Sequence, residues 1–250
     1  MADGGNSRIV GNEFRLNETA QTDIMVSLNA VSYTNVSGNY FFSGRTSGVT
    51  AVKVTSASYS VVNGNTMSLA GGTAIDCTSS NMVIVSNNAI NMASGTGSIG
   101  IVLTSASWMQ VNNNRLINLE TGMTAVNTAQ MDNLMIDNNA ISNCKQIGIN
   151  LQGCTYSSVC GNMVTNPGSQ TANTYPAILL TSTGTAYSIY NKVADNTIKS
   201  TVTNKHSYGI RENSANDGPN IITGNVALNA ATAQISTQNT SSIVANNLTA

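Results

Sequence analysis

Few side chains in this sequence can move a proton: eleven Asp and Glu, one His and four Cys in 250 residues. The densest group is Asp195, His206, Arg211, Glu212 and Asp217. If the intervening loop folds back, Glu212 and Asp217 can act as acid and base beside His206. The commoner fate of such a group is a set of solvated loop charges and a turn Asp. Cys77, Cys144, Cys154 and Cys160 show neither metal-ligand spacing nor a Cys-x-x-Cys motif. The expectation is therefore no metal and no cofactor, with Cys77 a buried thiol.

A repeat must position these residues. Val-Ser-Gly-Asn at 36–39, Val-Asn-Gly-Asn at 62–65, Val-Ser-Asn-Asn at 85–88, Val-Asn-Asn-Asn at 111–114 and Ile-Asp-Asn-Asn at 136–139 share one frame. Aligned on the last Asn, the series reads Asn12, Asn39, Asn65, Asn88, Asn114, Asn139, Asn162, Asn196, Asn225 and Asn247, mostly 22–27 residues apart. About ten repeats of that length signal a solenoid. Three residues before the Asn every repeat has Val or Ile, from Ile9 and Val36 to Ile222 and Val244. Strands favour β-branched side chains. Immediately before it stands Gly, Asn or Asp, each tolerant of a left-handed turn. Two residues after it come Phe14, Phe41, Met67, Ile90, Leu116, Ile141, Val164 and Ile198, giving way to Ala227 and Thr249.

Positions three before and two after are an odd number apart, so strand alternation alone cannot bury both. A bend can, and an Asn in the left-handed region is expected to supply it. Stacked coils then bring the ten amides about 4.8 Å apart, each donating to the next, as an asparagine ladder. A further strand signal follows in most coils, at 24–28, 49–54, 74–77, 99–103, 148–151, 177–180, 209–210 and 233–235. The chain is therefore read as all-β with three strand segments per coil, in one domain spanning 1–250. No stretch has the period of an amphipathic helix.

Insertions at 165–176, 200–208 and 213–219 interrupt the spacing. Insertions at equivalent places in neighbouring coils project from one side, so Tyr175, His206 and Tyr208 are expected to share a ligand-binding ridge. Four residues ahead of each Asn an outward row reads Arg8, Asn35, Val61, Ile84, Gln110, Met135, Ser158, Lys192, Ile221 and Ile243. Its apolar members Val61, Ile84, Met135, Ile221 and Ile243 form a candidate interface, unless a loop of the same coil covers them.

Cutting a glycosidic bond takes two carboxyl groups about 5–9.5 Å apart, which in stacked strands means one column, one or two coils apart. The outward column two before the Asn holds a single acid, Asp137. A second column, read approximately as Asp76, Val102, Asn127, Asn150, Leu179, Arg211 and Ser236, has no pair either. No dyad follows from spacing, and the chain is read as a non-enzyme, with Asp195, His206, Arg211, Glu212 and Asp217 the candidates otherwise.

Charged residues are 8% of the chain, where about 25% is usual. Yet 41% is hydrophobic and regularly placed, enough to build a core. A net charge of −1 with scattered basic residues gives no footprint for nucleic acid. No apolar run approaches the ~18 residues of a membrane span. Met1-Ala-Asp-Gly-Gly lacks signal-peptide features, so assembly inside a cell, or a trimmed chain, is expected. Neither terminus carries enough residues to cap the strand edges of a solenoid. Partners are expected to protect them, as in a homo-oligomer such as a trimer.

The pattern Gly-Ile-x-Leu, eight to ten residues, then Val/Ile-x-Gly/Asn-Asn-x-Ile resembles the right-handed parallel β-helix repeat of the pectate-lyase-like superfamily and of phage tailspikes. It covers nearly the whole chain and implies that fold; a preference for right-handed crossovers agrees. The fold carries lyases, hydrolases, epimerases, adhesins and inert virion parts. The resemblance implies a phage virion component, a capsid decoration or a fibre- or spike-like protein meeting other virion proteins or polysaccharide. A tailspike-type polysaccharide depolymerase and a secreted, extracellular adhesin fragment are the alternatives.

Overall fold

The computed structural model describes residues 6–16, 23–93, 97–203 and 205–249. Met1–5 and residue 204 of one insertion lie outside them. Among the described residues three parallel sheets run the length of the molecule. The first contains ten strands, from Arg8–Val10 to Ile243–Ala245, and the second ten, from Glu13–Leu16 to Leu248–Thr249. The third contains nine, from Asp23–Asn29 to Ala233–Ser236. Each strand pairs in parallel with its counterpart one coil on, so Ile9, Val36 and Val62 fall in register, as do Phe14, Phe41 and Met67. The chain winds as a right-handed β-helix.

The repeat explains the tube. Val36, Val62, Val85, Val111, Ile136, Val159, Val193 and Ile222 are all buried, and across the corner so are Phe41 through Ala227. Full burial of such side chains stabilises by about 1.5–3 kcal/mol each. Phe14 stacks on Phe41 with centroids 5.0 Å apart. The ladder runs unbroken: each Asn Nδ2 donates to the next Oδ1 at 2.9–3.2 Å, from Asn12 to Asn247. The left-handed backbone, however, sits one residue earlier than expected. Gly11, Gly38, Gly64, Asn87, Asn113, Asn138, Gly161, Asp195, Gly224 and Asn246 carry the positive φ. That frees each ladder Asn to keep its amide N–H on the next Oδ1 as well.

The fifth coil differs from the sequence reading. Its third-sheet strand is Thr121–Asp132, a stretch without the Gly-Ile signal. Thr124, not Asn127, stands between Val102 and Asn150, because a register shift between Val126 and Met131 absorbs the extra residues.

Small residues are required where the third sheet begins. Ala74, Gly100, Gly122, Gly148, Ala177 and Gly209 occupy this place in successive coils. A Cβ on Gly148 would lie 2.6 Å from Val164 Cγ1 and 2.8 Å from Ala177 O. Gly148→Ala is expected to cost about 2 kcal/mol by overpacking, read as a lower urea midpoint at unchanged slope; an unchanged midpoint would show that the coil gives way freely.

Candidate functional site

Two insertions pack on one another as their shared position requires. Ser207 N donates to Tyr175 O at 2.9 Å, Asn173 N donates to Lys205 O at 3.0 Å, and Gly168 lies against His206. The His206 ring points inward and is fully buried, so it does not join an exposed ridge with the half-buried Tyr175 and Tyr208. Its Nδ1 is 2.7 Å from Ser200 Oγ. Burial, assisted by Lys205, pulls its pKa down to about 4.

The loop at 213–219 does fold back, and Glu212 and Asp217 both end up fully buried. Glu212 Oε1 accepts from Asn220 Nδ2 at 2.9 Å and from Ser242 Oγ at 2.6 Å. Asp217 Oδ1 accepts from the Ser188 amide at 3.2 Å. Burial pushes Asp217 up to about 6; amides of Ser188, Ser182 and Ser214 oppose the shift, and the Glu212 charge adds to it. Glu212 is thus spent on the protein's own donors, Asp217 keeps a buried Oδ2 with no hydrogen-bond partner, and both are out of reach of a substrate in this conformation. Arg211 lies over the Tyr208 ring, 4.8 Å from its centroid. Asp195 stands apart, exposed at the ladder corner beside Gly224. Asp137 accepts from the Cys160 amide at 3.1 Å.

The outward row of the first sheet forms in register. Val61 and Ile84 are half-buried, whereas Met135, Ile221 and Ile243 are 47%, 45% and 58% exposed. Beside it runs a column that the sequence reading passed over: Tyr33, Tyr59, Met82, Trp108, Asn133, Tyr156 and Tyr190. All but Asn133 are exposed. Each stands six residues before its ladder Asn, a spacing visible in the sequence. Tyr33 and Tyr59 stack at 5.1 Å, and Tyr156 and Tyr190 at 5.2 Å. A cleft of about 300 Å³ opens along this flank among Tyr190, Lys192, Pro219, Ile221 and Ile243.

A right-handed tube with a closed acid cluster and one open apolar flank defines a β-helix scaffold. The chain belongs to the right-handed β-helix family, whose model, the right handed beta helix region, matches residues 1–133. The model of the periplasmic copper-binding protein (NosD) matches residues 70–244. Among the described residues no three His, Cys, Asp or Glu gather to hold a metal ion. Burial also pushes the Cys144 and Cys154 thiols up to about 12. These two buried thiols do not fit a copper centre.

No curated protein sequence matched the chain. Among solved structures, it is similar to the tailspike protein of E. coli bacteriophage HK620, solved as a mutant in complex with a pentasaccharide. The TM-score is 0.69 at 14% identity, covering 90% of this chain and 43% of the tailspike. The alginate lyase of Paenibacillus sp. str. FPU-7 gives 0.55 at 12% identity, with 91% and 98% covered. The enzymatically active domain of bacteriophage CBA120 tailspike protein 2 gives 0.54 at 12%, with 92% and 44% covered. The chain thus spans less than half of either tailspike chain. These likenesses establish the fold.

Proposed function

We propose that the protein is a non-enzymatic attachment β-helix of a phage virion, a capsid decoration or a tail fibre- or spike-like part. It acts as one domain, is assembled in the host cytoplasm as a homo-oligomer such as a trimer, and uses its exposed flank to meet a host glycan or a neighbouring virion protein. The observation that carries this reading is that flank. Aromatic and apolar side chains stay exposed in neighbouring columns from Tyr33 to Ile243, and large apolar side chains gathered on one exposed flank mark an interaction site. The virion setting draws on the two phage tailspikes that share the fold, one of them solved with a pentasaccharide.

Binding is favoured over cleavage because Glu212 and Asp217 lie buried behind Asn220, Ser242 and Ser188. Incubation with bacterial capsule and O-antigen polysaccharides is expected to give retention on at least one of them without new reducing ends or unsaturated products. Release of either product would replace this reading with a depolymerase.

A further inference from the structure

The exposed aromatic column contradicts its own backbone. Tyr33, Tyr59, Met82, Trp108, Asn133, Tyr156 and Tyr190 all have φ between 51° and 60°. Bulky side chains rarely accept that region, whereas Gly, Asn and Asp enter it readily. The molecule uses those cheaper residues at its other two corners, while the small Ala30, Ser56, Ser79 and Ser105 take this conformation three residues before the column. Every left-handed position before the ladder is Gly, Asn or Asp, and the turns after the second sheet use Asn118, Asn143, Asn166 and Asn229. A strained conformation kept with a large side chain, rung after rung, points to a use for the side chain itself.

The column has one gap. Amide bonds from Trp108 to Asp132, from Asn133 to Thr155 and from Tyr156 to Ile189 place Trp108, Asn133 and Tyr156 on three consecutive coils. The small Asn133 therefore leaves an open rung between two rings. Two rungs of about 4.8 Å separate them by about 10 Å. One-rung neighbours in the same column stack directly and leave nothing to fill. The gap opens into a cleft of about 200 Å³ lined by Trp108, Gln110, Asn133, Met135, Tyr156 and Ser158, together with Leu134. Trp108 is 57% and Tyr156 62% exposed.

We infer that this slot takes one neutral pyranose of a polysaccharide, held face to face between Trp108 and Tyr156. A saturated six-membered ring touching both at van der Waals distances of about 4 Å fills most of the gap. Its C–H faces meet the rings, and its hydroxyl edge meets the amides of Gln110 and Asn133 and the hydroxyl of Ser158. Apolar walls with a few convergent polar groups are the usual make-up of a small-molecule site. The lining residues carry no formal charge, which selects a neutral sugar over an acidic one. This assignment rests on the attachment reading and names the ligand of its flank.

Trp108 is the chain's single tryptophan, so its fluorescence reports on the slot alone. The test titrates the full chain with oligosaccharides cut from neutral and from acidic bacterial capsule and O-antigen polysaccharides. A saturable blue shift with at least one neutral oligosaccharide, absent with the acidic ones, is expected. Asn133→Tyr closes the slot, and Tyr at this φ is already present on neighbouring rungs, so the fold is kept. It and Tyr156→Ala should each weaken binding at least tenfold. Oligosaccharide retained with no Trp108 response, or bound equally by Asn133→Tyr, overturns the slot and leaves the attachment reading standing. A Trp108 response accompanied by new reducing ends supports the slot and removes the non-enzymatic reading. Silence and no retention across the panel removes both.

Discussion

Replacing Asn114 by Ala is expected to lower stability by about 5 kcal/mol. The Asn114 side chain makes four hydrogen bonds. Oδ1 accepts from Asn88 N and Asn88 Nδ2, both at 3.0 Å, and Nδ2 donates to Asn139 Oδ1 at 3.0 Å and to Val85 O at 2.9 Å. Each bond is worth about 1 kcal/mol net, and a buried donor left without a partner adds about 1–3 kcal/mol. The orphan here is the Asn88 amide, since Asn88 Nδ2 keeps Val62 O. Asn12 is the contrasting rung. It is exposed, its Nδ2 reaches only Val10 O and Asn39 Oδ1, and Asn12→Ala should cost about 1 kcal/mol. Stability in a stacked array is close to a sum of neighbour terms, so the loss should be local as well. Hydrogen exchange should quicken most at Asn88 and its neighbours, while a urea series gives the total. Equal costs at the two rungs would mean that the ladder is an ornament of a fold held by its apolar interior.

What could be read before the structure follows from which features repeat in sequence. A column of ten Asn, with β-branched and apolar residues at fixed offsets, leaves one arrangement that buries the apolar set, so the tube and its ladder were legible. The one-residue error in the left-handed position arose because Asn and its predecessor both tolerate that conformation. Only the hydrogen bonding decides between them: the ladder Asn keeps its own amide on the next Oδ1, while the residue before it turns. Asn127 was read in the place of Thr124 because Thr121–Asp132 absorbs its extra residues inside a strand rather than at a turn. The acid cluster was legible as a list of residues but not as a buried group. Burial of Glu212 depends on Asn220, Ser242 and the Asn239 amide, which come from later coils and irregular turns. The exposed column was written plainly, six residues before each ladder Asn from Asn39 to Asn196. A corner reached from a variable-length connection looks like loop until its φ values are known.

That buried cluster should also set the pH response. Asp217 titrates at about 6 in the folded chain, against about 3.9 when unfolded. As pH falls from 6 to 4 the folded chain takes up this proton first, so stability rises, by about 3 kcal/mol for two units. His206 runs the other way. It titrates at about 4 when folded and about 6.5 when unfolded, so acidification protonates the unfolded chain first and removes about 3 kcal/mol over the same window. In the parent the two slopes oppose and nearly cancel between pH 4 and 6.5. Asp217→Asn keeps an Oδ1 for the Ser188 amide and removes one slope. The variant should be more stable than the parent by about 3 kcal/mol at pH 7, and that advantage should vanish by pH 4. His206→Gln should behave in mirror image, gaining on the parent as pH falls from 6.5 to 4. Urea unfolding of the three proteins at pH 4, 5, 6 and 7 reads both differences directly. Variants that simply parallel the parent across that range would place both groups in water or in full hydrogen-bonded compensation, and the closed acid cluster would lose its standing as a buried one.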